Sequence, residues 1–422
     1  MFIIYDLIFL FASLIYLPVY LFKKKLRPGF FRRIGRLPVL LDLDRPIWVH
    51  AVSVGEAMAV RGLIEGLRSL CPEKRIVIST VTATGNKIAK SIAKTDDFVT
   101  YLPLDLSFIV KKVIDRINPA IFIVAETEIW PNLISYLEKK DIPMITVNGR
   151  ISDHSFKGYS MVKPLLWPIL AKVNLFCVQT ERDAERLKRL GVKNNRLKVT
   201  GNMKFDSQLL KEEGFSAVRY RRNLNLGPDD RLLVFGSTHP GEEEYALGCY
   251  KSLLTDFPNL KLLIAPRHPQ RSGDLAKIIS RSGFRSVLLS GSKGECPSCI
   301  ARAVFILDTV GELIYYYSIA DIVFVGGSLT KTGGHNILEP AALGKPVLFG
   351  PEMSNFRDIA DLFLNNHAAL LVHNQQELRA EIAVLLKFPE KALDLSKRAK
   401  EIILKNQGAV KRNLECIEKF IQ

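Results

Sequence analysis

Short runs of apolar, β-branched residues alternate with amphipathic stretches from residue 46 onward. A continuous apolar run predicts a strand buried on both faces, and apolar residues spaced about 3.6 apart predict a helix. Strands that alternate with helices indicate parallel sheets covered by helices. The first set of predicted strands is 47–52, 75–80, 98–101, 120–125, 143–147 and 175–179, with predicted helices at 57–70, 85–93 and 106–117.

A polar, charge-rich stretch at 207–230 interrupts this alternation, which then begins again. We therefore predict an α/β protein of two Rossmann-like, doubly wound domains, residues 46–210 and 211–422. Such domains face a central cleft, where ligands bind at the carboxyl ends of the strands. The second set of predicted strands is 231–236, 260–266, 284–288, 304–307, 322–325 and 346–349, followed by predicted helices at 375–386 and 391–420.

The chain begins with an almost wholly apolar segment, residues 1–22, whose single charge is Asp6. A helix of this length reaches roughly 30 Å, which matches the hydrocarbon core of a bilayer. We predict a membrane anchor with the remaining chain in the cytoplasm, because the linker at 23–45 begins with basic residues. A helix that lies in the membrane interface is the main alternative, and a buried core helix is another. The basic residues are Lys23, Lys24, Lys25, Arg27, Arg32, Arg33 and Arg36.

Composition narrows the class of protein. The 422 residues are 48% hydrophobic and 24% charged, which is typical of a globular chain with more than one domain. The net charge of +16 indicates an anionic partner: nucleic acid, an acidic lipid surface or phosphorylated substrates. Six scattered cysteines favour a reducing compartment without a disulfide framework. The CPSC sequence at 296–299 has the spacing of a zinc-ligand pair, but the chain has no second pair, so we do not predict a zinc site. The DLD sequence at 42–44 resembles a metal-binding DxD, and we interpret it as linker.

The first predicted domain carries acidic residues directly after two of its strands. In HAVSVGE at 50–56, Glu56 falls near the start of a helix, where it could act as a general base or simply complement the helix dipole. In AETEIWPN at 125–132, the carboxylates of Glu126 and Glu128 are costly to bury unless they are paired or functional. Lys204, in GNMKFD at 201–206, either steadies an anion or is solvated at the surface.

The second predicted domain has glycine-rich sequences after successive strands. Glycines before a helix expose backbone N–H groups that suit a phosphate, and Arg267 and His268 add cationic donors. Glu339 lies one helical turn after His335, where a carboxylate can bind ribose hydroxyls. Together these sequences predict a nucleotide site, and G-x-G-x-x-G and the P-loop sequence are both absent. The sequences are GSTH at 236–239, APRHP at 265–269, DTVGEL at 308–313, GGS at 326–328 and GGHNILEP at 333–340.

Taken in order, several of these sequences resemble the 3-deoxy-D-manno-octulosonic acid (Kdo) transferases. They are the apolar start, SVGE at 53–56, ETEIWPN at 126–132, RHP at 267–269, and GHN and EP within 334–340. The resemblance covers nearly the whole chain and implies the GT-B fold with an N-terminal membrane anchor. It implies a metal-independent, inverting glycosyltransferase that uses no cofactor and moves Kdo from CMP-Kdo onto a lipid A precursor, lipid IVA. This reaction belongs to lipopolysaccharide core biosynthesis at the inner membrane, and nucleic acid is not an expected partner.

The resemblance also implies roles for individual residues. Glu56 is the expected general base, and Glu126 and Lys204 are expected to support the transition state. Members of the family commonly have methionine at the position of Val310, so a backbone contact there is easier to retain than a side-chain contact. The residues expected to hold CMP are Arg267, His268, Val310, Gly311, Glu312, Asn336, Ile337, Leu338 and Glu339.

Two other functions stay open at this point. A sugar-nucleotide epimerase can share the architecture, but it has no use for the apolar segment at 1–22. A nucleic-acid-binding protein would need a basic face interleaved with aromatic residues, whereas the densest basic run adjoins the apolar segment. The number of Kdo units added, the acceptor hydroxyl, the oligomeric state and the choice between a spanning and an interfacial anchor are not decided by the sequence.

Overall fold

Parallel β-sheets form the centre of both units into which the chain divides. The computed structural model describes residues 5–7, 9–11, 29–38, 43–206, 216–291 and 302–421. The first unit is Met1–Ser207 together with Asn406–Gln422, and the second unit is Gln208–Lys405.

The first unit alternates strands and helices. Its strands are β1 Ile47–His50, β2 Ile76–Thr80, β3 Phe98–Tyr101, β4 Ile121–Ala125, β5 Met144–Gly149, β6 Leu175–Val178 and β7 Leu197–Val199. Its helices up to the second unit are α1 Phe30–Arg33, α2 Val54–Ala59, α3 Arg61–Leu70, α4 Ala83–Ile92, α5 Ser107–Ile117, α6 Pro131–Lys139, α7 Asp153–Met161, α8 Lys163–Leu170 and α9 Glu181–Arg189. The strands pair in parallel in the order β3-β2-β1-β4-β5-β6-β7, so the order reverses between β1 and β4.

The second unit repeats this pattern. Its strands are β8 Arg231–Thr238, β9 Leu260–Pro266, β10 Arg285–Leu288, β11 Ala303–Ile306, β12 Ile322–Val325, β13 Val347–Phe349 and β14 Leu370–Leu371. Its helices are α10 Ala217–Asn223, α11 Glu242–Leu253, α12 Ser272–Arg281, α13 Leu313–Ile319, α14 Leu338–Ala342, α15 Arg357–Asn365, α16 Gln375–Lys387 and α17 Pro389–Asn406. These strands are also parallel, in the order β10-β11-β9-β8-β12-β13-β14, and the order reverses between β8 and β12.

The central strands are mostly apolar because helices cover both faces of each sheet. All residues of β1 and β4 are buried, and Trp48 meets Phe122 edge to face across them at a ring distance of 5.0 Å. In the second unit Phe235 and Phe324 lie 4.9 Å apart at the corresponding pair of strands. Burial of large side chains at these places is the main favourable contribution to folding.

The last helix, α18 Ala409–Glu418, belongs to the first unit. The sequence predicts one helix at 391–420 within the second domain, and this prediction is wrong because the helix ends at Asn406 and Gly408 follows with a φ of 86°. Asp206 accepts the N–H groups of Gly408 and Val410 at 2.6 and 2.5 Å, which holds the start of α18 on the first unit. The predicted C-terminal boundary of the second domain moves accordingly to Lys405.

The structure also differs from the predicted elements in one helix and two short strands. The predicted helix at 57–70 is divided at Val60 into α2 and α3, and α3 packs against α18 so closely that a Cβ at Gly66 would lie 2.3 Å from Leu414. The strands β7 and β14 were absent from the prediction, because each is only two or three residues long.

The N-terminal segment is described in part. Residues 5–7 and 9–11 are helical, while residues 1–4, 8 and 12–28 and the sequences at 42 and 296–299 lie outside the described residues. Arg32 and Arg33 of the basic run lie over the rings of Phe98 and Tyr101, at 5.4 and 5.0 Å. Within the described ranges we found no helix with the length and apolar character that crossing a bilayer requires.

Candidate active site

The strand order of each sheet reverses at one pair of strands, and ligands of parallel sheets bind beside such reversals. In the first unit the pair is β1 and β4, and Glu56 and Glu126 follow their carboxyl ends. In the second unit the pair is β8 and β12, which are followed by His239 and by the glycine-rich sequence at 326–328. Motifs that the sequence singles out therefore lie at both reversals.

Glu56 lies in the first turn of α2 and is 9% exposed. One oxygen of its carboxylate accepts the Ser53 hydroxyl at 2.8 Å, and the other accepts the Val52 N–H at 2.8 Å. Ser53 in turn accepts the N–H of Glu56 at 3.4 Å. This reciprocal capping satisfies N–H groups that a helix start otherwise leaves without partners. The structure therefore makes Glu56 a helix cap and also places it at the reversal.

Glu126 and Lys204 are brought together by the fold, with 4.0 Å between Oε1 and Nζ. The backbone of Glu126 has a φ of 59°, a left-handed conformation that a residue with a Cβ adopts at a cost. Its N–H donates to the carbonyl of Val147 at 2.9 Å, which fixes the loop on β5. Lys204 lies in a short turn whose first residue, Met203, donates its N–H to the Asn148 side chain at 2.9 Å.

The carboxylate cluster, which we define as Glu56, Glu126 and Glu128 with Lys204, is electrostatically coupled. Burial and then the charge of Glu126 raise the pKa of Glu56, while Lys204 acts in the opposite direction. Burial raises the pKa of Glu128 to about 7, with the charges of Glu56 and Glu126 adding to the effect. Because the pKa of Glu56 is raised and that of Glu128 reaches about 7, this cluster can hold a proton near neutral pH, and a general base needs a pKa near the working pH.

In the second unit a buried carboxylate organises the reversal. Glu242 is fully buried in the first turn of α11 and accepts the N–H groups of Gly327, Ser328 and Leu329 at 2.8, 3.0 and 3.0 Å. It also accepts the N–H of His239 at 2.9 Å. The sequence at 326–328 is one of the five glycine-rich sequences that together predict a nucleotide site, but here Glu242 already accepts the N–H groups of Gly327, Ser328 and Leu329. Glu242 thereby joins the loops that follow β8 and β12.

The histidine–arginine cluster consists of His239, Arg267, His268 and His335. The rings of His239 and His335 are stacked, with 2.8 Å between their Nε2 atoms, and the ring of His268 stands edge-on to His239 at 6.0 Å. Burial, and after it the charge of Arg267, lowers the pKa of His335 to about 4. Burial raises the pKa of Glu339, whereas Arg267 lowers it, so Glu339 lies within electrostatic reach of the cluster.

The remaining residues predicted to hold CMP fall into two groups. Asn336 donates to Glu339 at 3.2 Å and accepts the N–H of Leu338 at 3.1 Å. Ile337 and Leu338 are fully buried.

The second group is the loop of Val310, Gly311 and Glu312. Val310 is 86% exposed, and Glu312 accepts the hydroxyl of Thr309. Burial and then the charge of Glu312 raise the pKa of Tyr220, which places the loop beside this ring. Within the described residues, no hydrogen bond or ion pair links the loop to the histidine–arginine cluster.

Sequence reasoning missed Glu242 and its neighbour Glu243. Glu243 is fully buried, accepts both terminal nitrogens of Arg271 at 3.0 and 3.3 Å, and accepts the Thr238 hydroxyl at 3.0 Å. The available signal was GEEE at 241–244, directly after the first glycine-rich sequence of this unit. Acids at a helix start usually face solvent, and nothing local distinguishes the two that are buried here.

A cavity of about 460 Å³ lies elsewhere in the first unit. Its lining includes Ala120, Pro143 and Asn174, which precede β4, β5 and β6, so it opens at the amino ends of the strands. None of the motif residues lines it. A search of the described residues for three or more acidic, histidine or cysteine side chains arranged to hold a metal ion found no such group.

Comparison with known proteins decides the family. Residues 28–207 match the family model described as 3-deoxy-D-manno-octulosonic-acid transferase (kdotransferase), and residues 300–402 match that of glycosyl transferases group 1. The 3-deoxy-D-manno-octulosonic acid transferase of Haemophilus influenzae is 34% identical over 377 residues, covering 89% of this chain and 87% of the relative. This chain belongs to the Kdo transferase family. A Kdo transferase of Chlamydophila psittaci is 29% identical, covering 99% of this chain and 96% of the relative.

Membership of the Kdo transferase family makes the chain a glycosyltransferase with a nucleotide-sugar donor. Among solved structures, the UDP-GlcNAc 2-epimerase of Neisseria meningitidis is similar with a TM-score of 0.56 and 14% identity, covering 86% of this chain and 99% of the epimerase. This similarity shows that the Kdo transferase shares the two-domain α/β fold of that enzyme. At such an identity it says nothing about a shared reaction.

Proposed function

We propose that this glycosyltransferase moves Kdo from CMP-Kdo onto a lipid A precursor, lipid IVA, in lipopolysaccharide core biosynthesis. Family membership supports the identity of the sugar. The observation that carries the chemistry is the carboxylate cluster, in which the buried Glu56 shares the reversal of the first sheet with Glu126 and Lys204.

In the proposed reaction the first unit serves the acceptor. Glu56 takes the proton of the acceptor hydroxyl as the hydroxyl oxygen attacks the anomeric carbon of Kdo. The bond from that carbon to the phosphate oxygen breaks, CMP leaves, and attack from the opposite face inverts the anomeric configuration. Lys204 and Glu126 support the transition state. The raised pKa of Glu56, caused by burial and by Glu126, favours this role because a base works best when its pKa approaches the working pH.

The second unit serves the donor in this proposal. Arg267 and His268 are exposed beside the stacked His239 and His335, so their donors are accessible to the single phosphate of CMP. Charge-assisted hydrogen bonds of this kind stabilise the leaving group as its negative charge develops. Glu339, Asn336, Ile337, Leu338 and the loop Val310–Gly311–Glu312 complete the proposed CMP site.

We further propose that the reaction needs no metal ion. A nucleoside monophosphate leaves with one phosphate, and protein donors can stabilise that charge. Arg267 supplies a permanent positive charge for this purpose.

We propose that the protein works at the cytoplasmic face of the inner membrane, with residues 1–22 as an anchor and the basic linker against anionic lipid. Support comes from Leu7, Leu10 and Phe11, which expose 62%, 42% and 68% of their surface although they are apolar. An apolar side of a helix that finds no protein partner is stabilised in the membrane interface. The positive flank adds about 1 kcal/mol per residue near an acidic surface.

The rival reading, a sugar-nucleotide epimerase, is tested with purified protein and two sets of substrates. The proposal predicts that UDP-N-acetylglucosamine alone is returned unchanged, whereas CMP-Kdo with lipid IVA releases CMP and yields a larger lipid. Formation of the 2-epimer without an acceptor would support the rival. A protein that releases CMP only when lipid IVA is present supports a transferase.

A further inference from the structure

Asp6 interrupts the apolar N-terminal segment, and its carboxylate has three donors in the first unit. Oδ1 accepts the N–H of Ser107 at 3.1 Å and the side-chain amide of Asn132 at 2.7 Å. Oδ2 accepts the hydroxyl of Ser107 at 2.5 Å. Asp6 and Ser107 are 101 residues apart in the chain, so this is tertiary structure and not a local cap.

Asp6 and Asp105 compensate for two helix starts that lack a local cap. The residues before α5 and α6 are Leu106 and Trp130, whose side chains make no capping hydrogen bond. Asp105 caps α6 by accepting the N–H groups of Asn132 and Leu133 at 3.1 and 2.8 Å. Asp6 does the same for α5 through the N–H of Ser107. A helix start favours a carboxylate because its first N–H groups have no partner within the helix.

The same bonds connect Asp6 to the candidate active site. Asn132 is the second residue of α6, and α6 begins directly after the loop that carries Glu126 and Glu128. Phe9 packs against the hydrophobic core of the first unit, while Leu7, Leu10 and Phe11 are exposed. Within residues 5–7 and 9–11, one side of the segment is therefore fixed to the protein, and the other side is apolar and exposed.

An ionised carboxylate is unfavourable in the core of a bilayer unless it finds partners. Asp6 has its partners in the first unit, which argues that residues 5–7 and 9–11 lie against the protein and not across the hydrocarbon core. Segments of this kind bind in the plane of the membrane interface through their apolar side.

We propose that Asp6 is a positioning residue that fastens residues 5–7 and 9–11 of the N-terminal segment to α5 and α6. The exposed apolar side of the segment is thereby held in one arrangement with the carboxylate cluster. In the proposed function the segment contacts the lipid and the carboxylate cluster receives the acceptor hydroxyl. Asp6 therefore determines how the hydroxyl of a lipid acceptor is positioned at the carboxylate cluster. This last step rests on the proposed function, whereas the attachment itself does not.

Hydrogen exchange tests the attachment without any activity. In Asp6→Ala the amide of Ser107 loses its carboxylate acceptor, and we expect its exchange to accelerate about tenfold, the effect of one lost hydrogen bond to a charged group. The exposed Asp96→Ala is the matched control and should leave that amide unchanged. Asp6→Asn retains an oxygen acceptor and should give an intermediate rate. Unchanged exchange at Ser107 in Asp6→Ala would overturn the proposal.

Kinetics with lipid IVA in vesicles test the positioning role. Asp6→Ala should raise the KM for the lipid about tenfold and leave kcat and the KM for CMP-Kdo nearly unchanged. Ser107→Ala should raise the KM for the lipid less than Asp6→Ala does. The double variant should have the same KM for the lipid as Asp6→Ala alone, since both substitutions remove the same contact. Additive effects, or a KM that does not respond to either substitution, would contradict the role. A wild-type protein that transfers no sugar would refute the proposed function and leave the exchange result intact.

Discussion

The Nε2 atoms of His239 and His335 lie 2.8 Å apart, with their rings within 9° of parallel. A hydrogen bond between two such atoms contains a single proton, so it persists only while at least one ring is neutral. Burial lowers the pKa of both rings, and that of His335 falls to about 4. Because the two rings lie beside Arg267 and His268, their protonation affects both stability and the proposed donor site.

The first prediction concerns stability against pH. His335 has a lower pKa when folded than when unfolded, so its contribution is complete above about pH 6.5 and is lost as the pH falls towards 4. His335→Gln should remove this slope, which we expect to be on the order of 1–2 kcal/mol across the window after solvent screening. Urea unfolding at several pH values without donor measures it. His154→Gln, an exposed histidine of α7, is the control; equal slopes in wild type and His335→Gln would refute the prediction.

The second prediction concerns the phosphate of the donor. Arg267→Ala should weaken CMP binding by about 1.5–3 kcal/mol, the range for a hydrogen bond to a charged group. Titration calorimetry with CMP measures the loss. Arg285→Ala removes an equally charged, exposed side chain of the same unit and should bind CMP normally. If both variants bind as the wild type does, Arg267 has no place in the phosphate site.

The third prediction separates the two roles of Glu56. Glu56→Gln keeps an oxygen for the Ser53 hydroxyl but cannot take a proton, so single-turnover rates should fall by roughly 10²–10⁴. The capping loss should cost only about 1 kcal/mol of stability, and CMP affinity should be unchanged. Glu65→Gln on α3 is the control, since that acid is exposed. Near-normal turnover in Glu56→Gln would transfer the role of base to Glu126 or Glu128.

The fourth prediction concerns the buried carboxylate of Glu242. Glu242→Ala leaves four backbone N–H groups without their acceptor, and we expect a loss of about 3–5 kcal/mol in the free energy of unfolding. Glu244→Ala removes an exposed acid two residues further along α11, which accepts the N–H of Gly241, and should cost under about 1 kcal/mol. Similar melting curves for the two variants would show that the loops after β8 and β12 do not depend on Glu242.

The fifth prediction concerns metal ions. Transfer should continue in excess EDTA at its full rate, because the proposal assigns stabilisation of the leaving phosphate to Arg267 and His268. Initial rates with and without EDTA, followed by added Mg²⁺, measure the effect. A rate that falls with EDTA and returns with Mg²⁺ would contradict a metal-independent reaction.

Parallel strands were readable from the sequence because a strand buried on both faces is a continuous apolar run, as in β4. The edge strands β7 and β14 are short and partly exposed, so they leave no such pattern. The end of α17 and the return of α18 depend on Asp206, whose bonds to Gly408 and Val410 join parts of the chain about two hundred residues apart. Local periodicity contains no information of that kind.

The candidate site was readable where its residues are polar at the ends of buried strands, as Glu56 and Glu126 are. The glycine-rich sequence at 326–328 shows where such reasoning reaches its limit. Glycine-rich loops expose N–H groups, but Glu242 reaches them from 85 residues earlier in the chain, and only the fold shows that they are taken. The attachment of Asp6 to Ser107 was hidden in the same way, since the sequence presents Asp6 only as a charge within an apolar segment.

Mass analysis of the lipid product tests the central claim most directly. Purified protein is incubated with CMP-Kdo and lipid IVA in vesicles, and Glu56→Gln serves as the matched inactive variant. The account predicts a lipid heavier by whole Kdo units, with one CMP released for each unit, and almost no product with Glu56→Gln. A lipid IVA that is recovered unmodified while the protein binds CMP-Kdo would contradict it.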